Sequence, residues 1–406
     1  MLLDHGSIIT LACWLIGAII TGILAGIITG LTPGIHVNLV AAVLVALAPA
    51  LALRLPLLAV CVFIVAMSVA HTFLDTLPSI FLGAPEDDKA MGVLPGHRYL
   101  LRGNGLVAVK LCVIGGITGS VLATALLIPA AWAIKGIYTV ARPVLAWVLI
   151  AFGVFSIWKD EKPAWSAAIL ALSGAFGLVV LRLPLKDPLL PMLSGLFGVA
   201  TLLYSINESQ TIPPQNDDQR TPIDTGKTAW GSALGIVGGV VTSAFPGISG
   251  ALASALVSRT RKLGDRGFLI LLGSLGSAGF ILSLAGWIGI EKARNGTTAA
   301  IVSLSAITPF TTMVLLGAGL VATGIGALLT ISLGRSAARW LPRLPYRTTC
   351  WCVIALVTAI VGIRTGWLGL CVLAVATAVG LLPAALKTAR AQAMGCLLLP
   401  TIVLLW

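Results

Sequence analysis

An apolar segment that is interrupted by a Pro-Gly pair occurs twice in this chain, and it constrains the fold more than any other feature. The two copies are Gly22–Asn38 and Gly235–Ala251. The shared residues are Gly22, Ile23, Gly26, Thr29, Pro33, Gly34 and Ile35, which recur as Gly235, Ile236, Gly239, Thr242, Pro246, Gly247 and Ile248. Proline cannot donate a backbone N–H and glycine weakens a helix, so each copy is predicted to break at this pair.

The low charge of the chain indicates that these segments lie in a membrane. Hydrophobic residues make up 58% of the sequence and charged residues only 10%, against about 25% charged residues in soluble domains. A broken helix in lipid is tolerated only where the freed backbone faces protein or a watery cavity, and paired breaks point to a transporter's binding site. We therefore predict an all-α polytopic membrane protein of about 10–13 transmembrane segments, built as two homologous inverted repeats with paired broken or re-entrant helices.

Two polar stretches divide the chain. Both are rich in turn-forming residues and charges, and neither can form a buried core. The predicted parts are a first repeat (1–134) with the Pro33-Gly34 break and a polar hairpin (84–105), intervening membrane helices (135–206), a polar connector (207–228), a second repeat (229–345) with the Pro246-Gly247 break, and C-terminal membrane helices (346–406).

The net charge of +12 indicates basic cytoplasmic loops rather than a nucleic-acid partner. Ser258–Arg266, Gly334–Arg347 and the hairpin are basic and are predicted to be cytoplasmic, whereas the more acidic connector is predicted to lie outside. An even number of apparent spans between hairpin and connector would instead put both on one side, and the sequence leaves this point open. The predicted location is the plasma membrane, crossed many times.

The two breaks are predicted to form a site for an anionic substrate. A helix that restarts after a break has free N–H groups and the positive end of its dipole at the break, which suits an anion. The structural alternative is a pair of kinks whose polar atoms cap the helix ends. Any titrating or specificity-setting group is expected from the first half, because the second copy has only small residues at the corresponding positions. The candidate substrate-binding residues are Thr32, Pro33, Gly34, His36 and Asn38 with Ser243, Pro246, Gly247, Ser249 and Gly250.

His71 and Asp75 are the candidates for cation coupling. They are four residues apart and so share one face of a predicted helix, and ionisable residues at membrane depth are functional by default. Histidine titrates near neutral pH, so the pair could carry a proton, and Asp75 could alternatively contribute to a sodium site. The structural alternative is a helix-end pair at the membrane interface. No other metal and no cofactor are predicted.

His97, Arg98 and Arg102 form a predicted basic rim in the hairpin. Arg98 and Arg102 are one helical turn apart, a spacing that can hold a carboxylate or a phosphate. The alternative is a cytoplasmic basic cluster that needs no ligand.

Three stretches of the first half resemble the TctA family, the large permease subunit of tripartite tricarboxylate transporters. They are GIITGLTPGIHVNLVAAVL, PSIFLGAP and LPGHRYLLRGNGLVAVKLCVIGGITGS. The resemblance implies substrate binding between the two Pro-Gly loops and cation-coupled uptake of an organic anion. It also implies two partners, a small membrane subunit and a binding protein. The chain is short for that subunit, and His36 to Asn38 replace the usual small residues, which is compatible with a stand-alone variant.

Two other functions are alternatives to solute transport. The PGISG sequence at Pro246–Gly250 resembles a motif of small polyprenyl-phosphate translocases, so the substrate could be a lipid phosphate, which requires a site that opens sideways to lipid. An intramembrane enzyme would need a cluster of nucleophile and acid–base residues or metal ligands, and the scattered histidines argue against one. We therefore predict a transporter rather than an enzyme, and the sequence leaves a homodimer open.

Overall fold

The structure is a computed structural model, and it describes residues 5–32, 37–82, 93–141, 143–158, 160–185, 187–207, 213–216, 224–245, 248–258, 260–340 and 346–405. Every regular element in these ranges is a helix, which confirms the predicted all-α class. The two Pro-Gly pairs, the first part of the hairpin and most of the connector lie outside the described residues.

The helices are described in the order of the predicted parts of the chain, and the boundaries of those parts stay predictions. The first repeat contains α1 (His5–Leu31), α2 (Val37–Ala46), α3 (Ala48–Leu51), α4 (Leu57–Leu74), α5 (Val93–Leu101), α6 (Gly105–Ala125) and α7 (Leu127–Ala141). The intervening region contains α8 (Leu145–Trp158), α9 (Pro163–Val180), α10 (Leu189–Leu193) and α11 (Ala200–Asn207). The remaining helices are α12 (Thr225–Ala244), α13 (Gly250–Ser258), α14 (Gly264–Ile290), α15 (Gly296–Leu304), α16 (Pro309–Trp340), α17 (Tyr346–Leu386) and α18 (Gly395–Leu405).

The described helices include seven that are long and apolar enough to cross a membrane, or eight if the bent pair α7 and α8 forms one span. The chain is therefore a multi-pass membrane protein. The predicted number of about 10–13 segments is larger, because it also counts apolar runs that form helices too short to span a membrane and runs that lie on either side of a kink in one long helix. Residues 37–51, for example, form two short helices, and α17 joins two predicted runs across a kink at Gly366, whose φ of +67° favours glycine.

The first long helix of each half packs in parallel against a later one, α1 along α4 and α12 along α14. Glycines make this close approach possible, because a methyl group in their place would lie within about 3 Å of the neighbouring helix. Successive glycines meet successive turns of the partner, which fixes the parallel direction. The contacts are Gly22 with Ala66, Gly26 with Ala70 and Gly30 with Leu74 in the first half, and Gly231 with Ile270 and Gly235 with Ser274 in the second.

The two halves run in opposite directions relative to the polar hairpin. The chain leaves α4 through the turn Pro78–Leu82, which packs on α5 of the hairpin. The second half instead begins α14 there, where Asp265 forms an ion pair of 2.7 Å with Arg98 of α5. Each half also packs a helix on the other, since α6 lies along α14 and α16 lies along α4. These directions and exchanged contacts are those expected of an inverted repeat.

The described part of the connector lies on the same face as the hairpin. The Gln215 side chain accepts a hydrogen bond from the Gly105 N–H at 2.9 Å and donates one to the Leu100 carbonyl at 2.9 Å. The ion pair between α5 and α14 places the basic segment after α13 on this face too. Of the two arrangements that the sequence leaves open, these contacts favour the one in which the connector and the basic hairpin lie on the same side. The acidic residues of the connector weigh little against this, because Asp and Glu contribute little to membrane orientation.

The intervening and C-terminal helices form a second layer. α9 packs on α18, and α17 packs on the turn Ser194–Val199. Gln392 stabilises this layer with two hydrogen bonds: its side-chain amide donates to the Ser156 carbonyl at 3.1 Å, and its main-chain carbonyl accepts from the Ser173 hydroxyl at 3.1 Å. The end of α9 and the length of α18 thereby come to lie beside the second predicted break.

Candidate functional site

A cavity of about 300 Å³ lies between the two halves, beside the central turns of α14. Its other walls are the start of α2, the last turns of α4, the segment before α13 and the segment that leads into α15. The residues that follow the two predicted breaks meet here, because Asn38 and Ser249 line the same space. The residues that follow the two predicted breaks therefore line one common space, and the substrate site between the breaks stays a prediction.

The first half contributes a histidine and a carboxylate to the cavity. His71 and Asp75 line it and are only 2% and 5% exposed. Thr72 lines the cavity between them. The Nδ1 atom of His71 lies 3.1 Å from the Thr29 hydroxyl of α1, so the ring is held by the helix that precedes the first break. The pair is thus inside the protein, where a change of charge would be felt strongly.

The second half contributes the start of a helix. The Ser249 hydroxyl accepts a hydrogen bond from the Leu252 N–H at 3.2 Å, so it caps α13, which begins at the buried Gly250. The cap satisfies one of the free N–H groups at this helix end. The positive end of the α13 dipole still lies next to Ser249, which lines the cavity.

Arg294 brings a positive charge to the cavity wall. One of its Nη atoms donates to the carbonyl of Ala244, at the end of α12, over 3.3 Å. Its backbone N–H donates to the Ser283 hydroxyl at 3.2 Å, which fixes the main chain against α14. The buried Nε of Arg294 has no hydrogen-bond partner in the part of the chain that the structure describes. The guanidinium therefore caps α12 with one donor and keeps donor capacity for a ligand.

The N-terminus of α15 forms the adjoining wall. The Asn295 side chain accepts from the Thr298 N–H at 2.8 Å and so caps this helix. Gly296 lies directly against Asn38, because a methyl group on it would be 2.4 Å from the amide oxygen of that side chain. The first turn of a helix in the second half thus touches the first turn after the break in the first half.

The predicted site residues fall into three groups. Those that line the cavity are Asn38, Ser249, His71 and Asp75. Those that are described but do not line it are Thr32, Ser243 and Gly250. Those that lie outside the described residues are Pro33, Gly34, His36, Pro246 and Gly247. The residues that meet in the cavity thus include members of both predicted sets, substrate binding and coupling.

The predicted basic rim does not reach the cavity. His97 is buried in α5, Arg98 pairs with Asp265 on the face that carries the hairpin, and Arg102 is exposed at the end of α5. Among the described residues, no three His, Cys, Asp or Glu side chains lie close enough together to hold a metal ion.

Sequence reasoning missed Arg294, Asn295, Gly296 and the cavity-lining Thr297. They belong to the stretch KARNGTT between two apolar runs, and a short polar stretch of this kind normally indicates a loop at the membrane surface. The one signal was Asn-Gly-Thr-Thr, which is typical of a helix N-terminus. Nothing in the sequence indicates that this helix starts beside the first break.

Comparisons with known proteins agree with this architecture. The model of the tripartite tricarboxylate transporter TctA family matches residues 16–395. The uncharacterized protein MJ1079 of Methanocaldococcus jannaschii is 27% identical over 352 residues, which cover 84% of this chain and 87% of that protein. No solved structure matches the chain. The family match spans both halves and the second helical layer, and it confirms the resemblance inferred from the sequence: the chain belongs to the tripartite tricarboxylate transporter TctA family.

Proposed function

We propose that this protein carries an organic anion, a carboxylate, across the membrane by cation-coupled alternating access, and that the cavity between the halves is its substrate site. Its family makes it a secondary transporter of the tricarboxylate-transporter type. The observation that carries the proposal is the meeting of Asn38, Ser249 and Arg294 in one cavity with the N-terminus of α15.

Arg294 is the proposed anchor of the substrate carboxylate. A cation among membrane helices is costly and marks a substrate path by default. Arginine offers five N–H donors in a planar fork that matches a carboxylate, and the contact with Ala244 uses one of them. The same contact holds the side chain in place, so little side-chain freedom is lost when a ligand binds.

Two helix N-termini add partial positive charge without adding a titrating group. α13 begins just after Ser249 and α15 begins at Gly296, both at the cavity. The first N–H groups of a helix have no partner within the helix, and together with the dipole they favour an anion. Asn38 and Ser249 supply neutral polar groups that can orient the bound carboxylate.

His71 and Asp75 are the proposed coupling groups. Both line the cavity that holds the proposed anion site, so a cation at Asp75 would feel a bound anion directly. The hydrogen-bond contact of His71 with Thr29 links the pair to α1, the helix that leads into the first break. Movement of that helix would therefore change the surroundings of the pair, as alternating access requires.

The proposed setting is the plasma membrane, with the partners of a tripartite system. Members of this family work with a small membrane subunit and a substrate-binding protein. We propose the same partners here, and independent operation is the alternative.

Binding in lipid nanodiscs tests the site without any partner subunit. We expect citrate or another labelled di- or tricarboxylate to bind the purified protein, and Arg294→Gln to weaken that binding about 30-fold. This factor corresponds to about 2 kcal/mol, the lower end of the cost of removing one partner of a buried charge pair. Lys162→Gln is the matched control, because Lys162 donates to the Leu386 carbonyl in the second layer, away from the cavity, and its substitution should leave the dissociation constant unchanged.

Uptake into proteoliposomes then tests transport. The same carboxylate should accumulate when an inward sodium or proton gradient is imposed, and Arg294→Gln should raise its KM by a similar factor. The proposal fails if the folded protein binds no carboxylate of the panel, or if Arg294→Gln binds and transports like the unmodified protein.

A further inference from the structure

We infer that the transported anion carries an apolar tail, and that this tail lies in a crevice on the lipid side of Ser249. The inference rests on the proposed function, because it places the head of the same substrate in the polar cavity. The crevice has a volume of about 540 Å³ and lies between the end of α9, α18 and the segment before α13.

The crevice is lined almost entirely by apolar side chains. Ile248 and Leu397, each 5% exposed, form its floor, whereas Leu181 and Leu404 are 39% and 66% exposed and form its rim. α9 is one of the candidate membrane spans. Leu181 and Arg182 directly follow the last residue of this span, Val180, so the crevice opens at one end of it. In the inferred arrangement this opening is a path into the protein from the bilayer.

Ser249 joins the crevice to the polar cavity. It lines both spaces, and Ile248, its neighbour in the chain, lines only the crevice. An anion held by Arg294 could therefore extend a chain past Ser249 onto the apolar floor. A compact hydrophilic anion such as citrate would fill the polar cavity alone and make no use of the crevice.

A bilayer lipid is the competing occupant of such a groove. A site for lipid tails alone would need no polar wall, yet Ser249 and Thr401 line the crevice and Arg182 places a positive charge on its rim. These groups suit an anionic head that passes from the rim to the cavity. A crevice with a positive charge on its rim, polar groups in its lining and an apolar floor suits an amphiphilic anion better than a neutral lipid.

Two sources could supply this chemistry, a water-soluble alkyl anion and a lipid phosphate. Both have one anionic head and one apolar tail, and both would place the head at Arg294. They differ in whether the ligand arrives from water or from the bilayer, which the experiment separates.

Binding of ethyl, butyl, hexyl and octyl phosphonate to the full chain in nanodiscs tests the inference, with the heats of empty nanodiscs subtracted. Burial of each added methylene should raise the affinity about fourfold. Leu181→Trp, which fills the rim, should abolish this gradient and leave ethylphosphonate binding unchanged. Leu328→Trp is the matched control, because Leu328 is exposed on α16 away from both spaces and its substitution should keep the gradient.

The outcomes separate the inference from the proposed function. If ethylphosphonate binds through Arg294 but the series shows no gradient, or Leu181→Trp leaves the gradient intact, the tail site is wrong and the anion site stands. If no member of the series binds, or ethylphosphonate binding is insensitive to Arg294→Gln, the tail inference fails, whereas the proposed anion site is decided by the carboxylate binding assay. A long-chain prenyl phosphate in the nanodisc should displace octylphosphonate if the natural source is the bilayer, and should not displace it if the source is water.

Discussion

The two halves of this protein repeat a backbone design but present different chemistry to the cavity they share. Each half packs a glycine-lined helix in parallel on a later helix and ends the first of them at a Pro-Gly pair. The first half then adds His71 and Asp75, whereas the second adds Arg294 and the N-terminus of α15. The repeated backbone creates the space, and the residues that are not repeated determine what the space can bind.

Because of this difference, we propose a separate role for each half. A carboxylate beside a histidine suits a titrating or cation-binding role, and an arginine that caps a helix end suits a fixed anion anchor. The expectation that any titrating or specificity-setting group at the break would come from the first half rested on His36 and Asn38 and left out Arg294. Variants in matched positions of the two halves can therefore test each role separately.

The largest expected loss of transport is that of the Asp75→Asn variant. A tenfold inward gradient of one coupled monovalent cation can sustain about tenfold accumulation of substrate, since both correspond to about 1.4 kcal/mol. Asp75→Asn removes the charge that the cation would neutralise, so accumulation should fall to simple equilibration. Labelled carboxylate uptake under imposed sodium or proton gradients measures this ratio.

The control for Asp75 is another acidic residue outside the cavity. Asp187 pairs with Arg364 at 3.6 Å, and Asp187→Asn should leave the accumulation ratio unchanged. An Asp75→Asn protein that still accumulates substrate with the normal gradient dependence would remove this residue from the coupling site.

The next prediction compares the two halves by the loss of stability when their helix packing is disturbed. A methyl group on Gly22 would lie 2.6 Å from the Phe63 carbonyl oxygen, and one on Gly235 would lie 2.5 Å from the Ser274 side chain. Gly22→Ala and Gly235→Ala should therefore each destabilise the protein by about 1–3 kcal/mol through overpacking. Thermal unfolding in detergent micelles should show a lower Tm for both variants.

Gly17 supplies the control for this comparison. It lies on the same helix as Gly22, and a methyl group there would meet nothing within 4 Å. Gly17→Ala should leave the Tm nearly unchanged. Helix propensity favours alanine at both positions, so equal losses at Gly17 and Gly22 would mean that close packing on α4 does not determine the effect, and a loss in only one half would break the proposed equivalence of the repeats.

The sequence was sufficient to predict the fold class and the family, for identifiable physical reasons, whereas the position of the substrate site stays a prediction. Low charge and long apolar runs indicate membrane helices, and Pro33 and Pro246 each disrupt a helix at a corresponding place. The spacing of His71 and Asp75 also placed both on one helical face. Each of these features depends only on residues that are close together in the sequence.

What could not be predicted depends on contacts between distant segments. The connector binds the hairpin through Gln215, a contact that no local pattern encodes, so the sequence alone left the side of the connector open. Arg294 lies in a polar stretch that resembles any surface loop, and only the packing of α15 on α2 brings it to the cavity. The positive charge of Arg294 thus lies at the cavity because of tertiary contacts, which local sequence patterns do not reveal.

The smallest expected effect on substrate affinity concerns the close approach of Gly296 in the second half to Asn38 in the first. A methyl group on Gly296 would overlap the Asn38 side chain, which can move because it is flexible. Gly296→Ala should displace the Asn38 amide from the cavity and cost about one hydrogen bond to the substrate, roughly fivefold in affinity. The Tm should change little, whereas Gly317→Ala, at a glycine with open space around it, should change neither quantity. If Gly296→Ala binds the carboxylate as tightly as the unmodified protein, Asn38 is not a ligand, and the first half contributes coupling groups but no substrate contact at its break.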